Sequence, residues 1–350
     1  MRVCHLLNEF WFGGIQETVY ELCRALPGIR HSILGHTDGP MRPLFDRLPD
    51  VETSLMPRGY PELLRYVLEH RIDVVHKQLG GGDTSSFLFP LRRPDRVCAV
   101  VESMHCPRDC KTPPDVVDVV LVASQYTLSQ QTGVHPMVKV IPYGIEPVLP
   151  TKTREEILAV WGIPPTSRVV GRIGRLSGSK LVHETIETVL YLWHQGMSDI
   201  RCVIGGTIPR DEGFTYATQL RRYDQYPVCH FVGEARSHDE KANWIAALDL
   251  VCYPTQGEGF GMVFLEAIHQ RIPIASYDTG ANAEVIGPAG RCVPYTSRPG
   301  RIEALAKTVK EMLVPAQYRK YQRGCDRQRA YYTATRYASD VLAVYQEVLG

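Results

Sequence analysis

Residues 257–267, GEGFGMVFLEA, place two carboxylates, Glu258 and Glu266, around three glycines where the apolar run LVCYPT gives way to a helical-period segment. A glycine-rich turn entering a helix offers backbone N–H groups without intrahelical partners, together with the positive end of the helix dipole. Such a turn is a cradle for an anion. Gly259 and Gly261, on either side of Phe260, permit close backbone approach, and the amides of about Gly261, Met262 and Val263 are placed to meet a phosphate. Glu258 precedes the helix and Glu266 falls just over one turn inside it, so both flank the cradle rather than fill it. Ionised carboxylates only accept hydrogen bonds, which suits them to sugar hydroxyls. The plainer alternative makes Glu258 a cap that offsets the dipole and Glu266 a solvated surface acid. It is weakened by the setting of Glu266 in MVFLEAI, where an unpaired charge is costly and a partner is expected.

A second constellation is GRIGRLSGSK, residues 171–180, again at the end of a predicted strand and entering a helix. Across its serine- and glycine-containing turn, Arg175 and Lys180 can converge on one anion, the guanidinium as a fork and the ammonium as a point charge. A diphosphate fits that pair; two solvated surface charges are the alternative. In WFGG, residues 11–14, Gly13 and Gly14 open a helix N-terminus after the first strand, which suits either contact with a reacting group or a plain tight turn. His105, after VCAVVESM, and Glu284, in TGANAE, stand at strand ends, where ligand contacts concentrate. HCPRDC gathers His105, Cys106 and Cys110, but no second ligand pair at matching spacing accompanies them, so no metal is assigned. No D-x-D occurs in the chain. Charge on a leaving diphosphate would therefore fall to Arg175, Lys180 and the helix amides.

These residues need elements to position them. The chain has 350 residues, 44% hydrophobic and 22% charged, with a formal charge of +1, which describes a globular protein of two domains without global attraction for nucleic acid or an anionic membrane. MRVCHLLNEF is too short an apolar run for a signal peptide, and no stretch approaches the length of a membrane span, so a cytoplasmic protein is expected. The ten cysteines are scattered, with Cys4, Cys202 and Cys252 inside apolar runs as buried thiols. Short β-rich runs alternate with helical segments along nearly the whole length, the pattern of parallel sheets covered by helices on both faces. Thirteen strands are predicted, seven before the proline-containing linker at residues 145–153 and six after it. Helical spacing places Ile15, Val19, Leu22 and Leu26 on one stripe, and Ile186, Val189, Leu190 and Trp193 on another. Two doubly wound Rossmann-like domains follow, residues 1–147 and 148–333, with a last helix at about 334–350 that packs back onto the first. A cleft between their strand ends is the expected place for ligands.

The order of GG near the start, VIPYGI at the junction, RLSGSK, EGFGMVFLE and TGANAE resembles the retaining glycosyltransferases of the GT-B fold, family 4 (glycosyl transferases group 1), over essentially the whole chain. The resemblance implies a nucleotide-sugar co-substrate held mainly by the second domain, an acceptor held mainly by the first, and no bound metal or cofactor. It implies that Glu258 meets the sugar hydroxyls, Glu266 the ribose, and Arg175 with Lys180 the diphosphate. Backbone near Phe231, in CHFVGE, would read the base, and His105 would lie beside the transferred sugar. UDP is the expected nucleotide. The family pattern has glycine where this chain has Leu181 and Arg271, and a non-glycine residue in a left-handed cap costs about 1 kcal/mol, so a local change of turn is expected there. A first domain of about 145 residues hints at a small acceptor. An NAD-dependent oxidoreductase would share the texture but needs G-x-G-x-x-G after a strand, which neither glycine stretch supplies, and the P-loop pattern is also absent. A two-lobed sugar-binding protein would need a secretion signal and has no use for the Arg175–Lys180 pair.

Overall fold

The computed structural model describes residues 1–57, 62–78, 86–91, 97–135, 137–207 and 213–350. It divides into two compact units, Met1–Glu146 with Tyr332–Gly350, and Pro147–Tyr331. In unit 1 the strands are β1 (Arg2–Glu9), β2 (Arg30–Thr37), β3 (Val51–Leu55), β4 (Val74–Lys77), β5 (Ala99–Met104), β6 (Val119–Val122) and β7 (Val138–Val140). Among the described residues they pair in the order β3-β2-β1-β4-β5-β6-β7, parallel throughout. Unit 2 contains β8 (Arg168–Ile173), β9 (Ile200–Gly205), β10 (Cys229–Gly233), β11 (Leu250–Cys252), β12 (Ile274–Asp278) and β13 (Gly290–Pro294). Their order is β10-β9-β8-β11-β12-β13, again all parallel.

Strands buried on both faces read as continuous apolar runs, and β4 and β6 are buried at every residue. Helix Gly14–Ala25 lays Val19 and Cys23 against Leu7, Phe10 and Ile33 of the unit 1 core. Helix Val182–His194 lays Ile186, Val189 and Leu190 against Val170, Cys202 and Leu250 in unit 2. In each sheet the order reverses beside its first strand, between β1 and β4 and between β8 and β11. Open α/β sheets bind ligands outside the carboxyl ends of the strands at such a reversal. No helix among the described residues is long and apolar enough to cross a membrane.

The chain on either side of the unit boundary is held within its own unit. Ile145 bridges to Thr333, the amides of Thr151 and Lys152 donate to Asn243 Oδ1 at 2.7 and 3.0 Å, and Thr153 forms a reciprocal capping box with Glu156. The last helix, Ala334–Leu349, belongs to unit 1. There Arg336 Nη2 donates to the carbonyls of Pro142 (2.6 Å) and Tyr143 (3.0 Å).

Leu181 and Arg271, expected to alter their turns, keep the left-handed conformation, with φ of 44° and 60°. The expectation fails because each side chain gains something glycine lacks. Leu181 is 4% exposed in the unit 2 core, and Arg271 Nη2 reaches Asp326 Oδ2 at 2.9 Å. Burying a leucine is worth about 2 kcal/mol, which exceeds the strain of about 1 kcal/mol. Leu181→Gly should therefore lower stability by at least about 1 kcal/mol in chemical denaturation despite relieving the backbone; an unchanged or raised midpoint would refute this balance.

Unit 1 also buries neutral imidazoles. His5 Nε2 meets His31 Nδ1 at 3.1 Å, and His76 contacts Tyr345 Oη (2.6 Å) through Nδ1 and Ser103 Oγ (2.8 Å) through Nε2. Burial holds all three below the usual histidine range, His31 at about 4 and His76 at about 3. Because the unfolded chain protonates these rings near pH 6.5, their stabilisation is fully present above that pH and is lost as pH falls toward the folded values. Each ring that stays neutral contributes about 1.4 kcal/mol per pH unit in that window. Urea titrations from pH 7 to 5 should show steeply falling stability, and His76→Gln should flatten the fall; a pH-independent midpoint would contradict it.

Candidate functional site

At the reversal in unit 2, β8 runs into the turn of residues 174–181 and β11 into the loop of residues 253–261. These carry Arg175 and Lys180 on one side, and Glu258 with the start of helix Met262–His269 on the other. Hydrogen bonds join the two loops. Gln256 N donates to Ser179 O at 3.0 Å, Thr255 Oγ1 to the same carbonyl at 3.4 Å, and Lys180 Nζ to Glu258 Oε1 at 2.6 Å. A third loop, after β12, joins them. Glu258 bridges to Gly280, Ala281 N donates to Glu258 O at 2.9 Å, and Thr279 Oγ1 donates to Thr255 O at 2.9 Å. Glu258 and Lys180 side chains are 13% and 23% exposed, so the pair sits at the surface of this assembly, within reach of a ligand.

Gly261 caps helix Met262–His269 at φ 91°, with no side-chain cap bond, and a Cβ there would lie 2.5 Å from the Phe264 ring. Both facts demand glycine. Met262 and Val263 follow in the first turn, where helix amides face outward and the dipole is positive. Phe260 is buried at 4% exposure and Gly259 precedes it in the loop. Glu266 finds the partner its setting demanded in Lys241 Nζ, at 2.5 Å, while its Oε2 has no partner among the described residues. Arg175 is exposed on its turn, and Glu284 is exposed in the first turn of helix Asn282–Ile286.

Phe231 stands apart. It is 37% exposed on the edge strand β10, where it helps line a cavity of about 770 Å³ with Trp161, His230 and Trp244. None of Arg175, Lys180, Glu258 or Glu266 lines that cavity.

In unit 1, Gly13 caps helix Gly14–Ala25, which follows β1. His105 follows β5, half-buried. Its Nε2 donates to Gln78 Oε1 at 2.7 Å, and Tyr143 Oη donates to its Nδ1 at 2.7 Å. An amide oxygen cannot donate, so these partners fix the Nε2–H tautomer. Burial pushes the ring's pKa down to about 3, and it stays neutral at physiological pH. Gln78 lies immediately beyond β4, at the reversal of this sheet.

The fold carries the likeness to known proteins. Residues 153–324 match the family glycosyl transferases group 1. Among curated relatives, the lipopolysaccharide core biosynthesis mannosyltransferase LpcC of Rhizobium leguminosarum bv. viciae is 27% identical over 220 residues, 60% of each chain. The GDP-mannose-dependent alpha-(1-6)-phosphatidylinositol dimannoside mannosyltransferase of Mycobacterium tuberculosis is 29% identical over 181 residues, 51% of this chain and 44% of that one. The chain thus spans about half the length of the curated relatives it matches. Anabaena Alr3699/HepE in complex with UDP-glucose superposes with a TM-score of 0.77 at 17% identity, covering 99% of this chain and 100% of that one. That likeness shows the fold, two Rossmann-like α/β units of the GT-B class. The glycosyl transferases group 1 match contains Arg175, Lys180, Glu258 and Glu266, all the expected charged donor residues of unit 2.

Several residues of the site were not singled out by sequence reasoning. Thr255, Ser179, Lys241 and Gly280 act through backbone or through partners distant in the chain; Ser179 and Gly280 lie inside the quoted RLSGSK and TGANAE stretches, but nothing local names their partners. Arg172 left one trace, a cation inside the apolar strand RVVGRI. Gly280 tests the three-loop assembly. At φ 58°, with a would-be Cβ 2.4 Å from Glu258 O, it admits no side chain. Gly280→Ala should displace Glu258 and cost about 1–3 kcal/mol of stability, read by thermal unfolding; wild-type stability would contradict the packing described.

Proposed function

We propose that this protein is a metal-independent, retaining glycosyltransferase that moves a hexose-type sugar from a nucleoside-diphosphate sugar to a hydroxyl of a small molecule or growing glycan in the cytoplasm. The observation that carries this reading is the Lys180–Glu258 pair, 2.6 Å apart beside the N-terminus of helix Met262–His269, at the strand-order reversal of unit 2. The family match and the two mannosyltransferase relatives support glycosyl transfer and a hexose.

In this reading the diphosphate lies against the amides of Gly261, Met262 and Val263, with Arg175 and Lys180 meeting its negative charge. Lys180 then shares its proton donors between the departing phosphate and Glu258. Glu258 accepts from sugar hydroxyls, and Glu266 accepts from the ribose through the oxygen Lys241 leaves unpaired. No carboxylate pair of D-x-D type is present in the sequence to hold a divalent ion, so cations and amides carry the leaving-group charge. From unit 1, Gly13, Gly14 and His105 are assigned to the acceptor and the transferred group. Same-face attack, in which the departing phosphate helps take the acceptor proton, rests on the family resemblance.

UDP is the proposed nucleotide, in line with the UDP-glucose complex of the structural neighbour. The mycobacterial relative is named for GDP-mannose, so GDP is the competing choice. Calorimetric titration with UDP, GDP, ADP and TDP, followed by mass spectrometry of products from the matching sugars, decides between them. Lys180→Ala and Glu258→Ala should each lower kcat by about 10²–10³-fold while circular dichroism stays native, the loss expected when a charge-stabilising contact is removed. Near-normal turnover in either variant would remove its assigned role.

A further inference from the structure

Among the described residues, Arg172 and Lys77 are the cations counted as buried, and they are treated in opposite ways. Lys77, 4% exposed, donates to Glu102 Oε1 at 2.8 Å and to Thr112 Oγ1 at 3.0 Å. It is a neutralised pair. Arg172, 0% exposed, has no carboxylate in contact among the described residues. Its Nη1 donates to the carbonyls of Lys180 and, at 3.4 Å, Pro254, its guanidinium lies 3.7 Å from the centroid of the Tyr253 ring, and Nε and Nη2 have no partner among the described residues. A buried charge without a counter-ion is costly, and chains rarely carry one without a use.

Its position names the use. Lys180 ends the turn that follows β8, and Pro254 begins the loop that follows β11, so one guanidinium ties together the two loops that flank the reversal. Carbonyl contacts hold these loops but do not cancel the charge, which acts in a low dielectric beneath the turn carrying Arg175 and Lys180. An aromatic face lowers the cost of the cation without neutralising it.

We propose that Arg172 is a further positioning residue for the donor, a buried cation that fixes the Lys180 turn and whose counter-charge is the bound diphosphate. This rests on the donor-binding reading above. The cost of holding the charge alone in the empty protein is then recovered on binding, and the recovery grows with the negative charge of the ligand. Uridine gains nothing from it, UMP gains part and UDP gains most.

The test compares Kd for UDP, UMP and uridine by calorimetry in wild type, Arg172→Gln and Arg172→Lys. Arg172→Gln keeps a donor for the Lys180 carbonyl and removes the charge. It should weaken UDP about 10-fold or more, weaken UMP less, and leave uridine within about 2-fold. Arg172→Lys should keep most of the wild-type preference for UDP over uridine. Where Arg172→Gln does not fold, Arg172→Met replaces it, since an apolar side chain of similar length removes the buried charge outright. Equal weakening of all three ligands would show a merely structural role, and an unchanged UDP-to-uridine ratio would show that the charge is not sensed; either overturns the proposal. A wild-type protein that binds none of UDP, GDP, ADP or TDP would instead overturn the donor reading itself, and with it this one.

Discussion

The loops at the strand-order reversal of unit 2 bring like charges close together. At the reversal between β8 and β11 the fold gathers Lys180, Arg172 beneath it, and the positive end of helix Met262–His269. These like charges repel one another at this short range. Glu258 pairs Lys180 at 2.6 Å, and hydrogen bonds from Gln256, Thr255, Thr279 and Ala281 hold the loop that carries it. A half-buried ion pair gains little net free energy, because desolvation offsets much of the Coulomb attraction. Its value lies in the geometry it fixes, with two side chains held together at the strand-order reversal.

Preorganisation explains why so many contacts in these loops involve backbone. A carbonyl or amide is placed by the chain itself and loses no rotamer freedom when a ligand arrives. Ser179 O accepts from both Gln256 and Thr255, and Glu258 is fixed through both main-chain and side-chain atoms. The left-handed Gly261 lets the helix begin directly after the loop, so its first amides stand beside the pair. Unit 1 uses another device at its strand ends. His105 is held by Gln78 and Tyr143 in one neutral tautomer, which suits it to hydrogen bonding rather than to carrying charge.

Much of this was legible in the chain. All thirteen strands appear where alternating apolar runs placed them, because parallel strands covered on both faces must be continuously apolar and leave a strong local signal. The charged residues proposed to hold the donor stand out in the chain for a related reason. Glycine-rich turns that enter helices announce themselves by composition, and cations or carboxylates beside them stand out. The partner of Glu266 could be demanded but not named, since Lys241 comes from a different helix brought alongside only by folding. Leu181 and Arg271 misled because sequence shows the strain of a left-handed residue but not the burial or ion pair that offsets it.

The sequence by itself determined the class of fold, the order of elements and the chemical character of the loops, because those follow from periodicity and residue type along a single stretch of chain. Which loops meet was decided by tertiary structure alone. The strand order that sets β11 beside β8 joins residue 180 to residue 258, an ion pair across 78 positions that no local pattern encodes. The same holds for the buried state of Arg172, where one charge in a strand reads as an irregularity until the ring of Tyr253 and two loop carbonyls are seen to enclose it. Residue type sets what a side chain can do, and packing sets which groups it does it with.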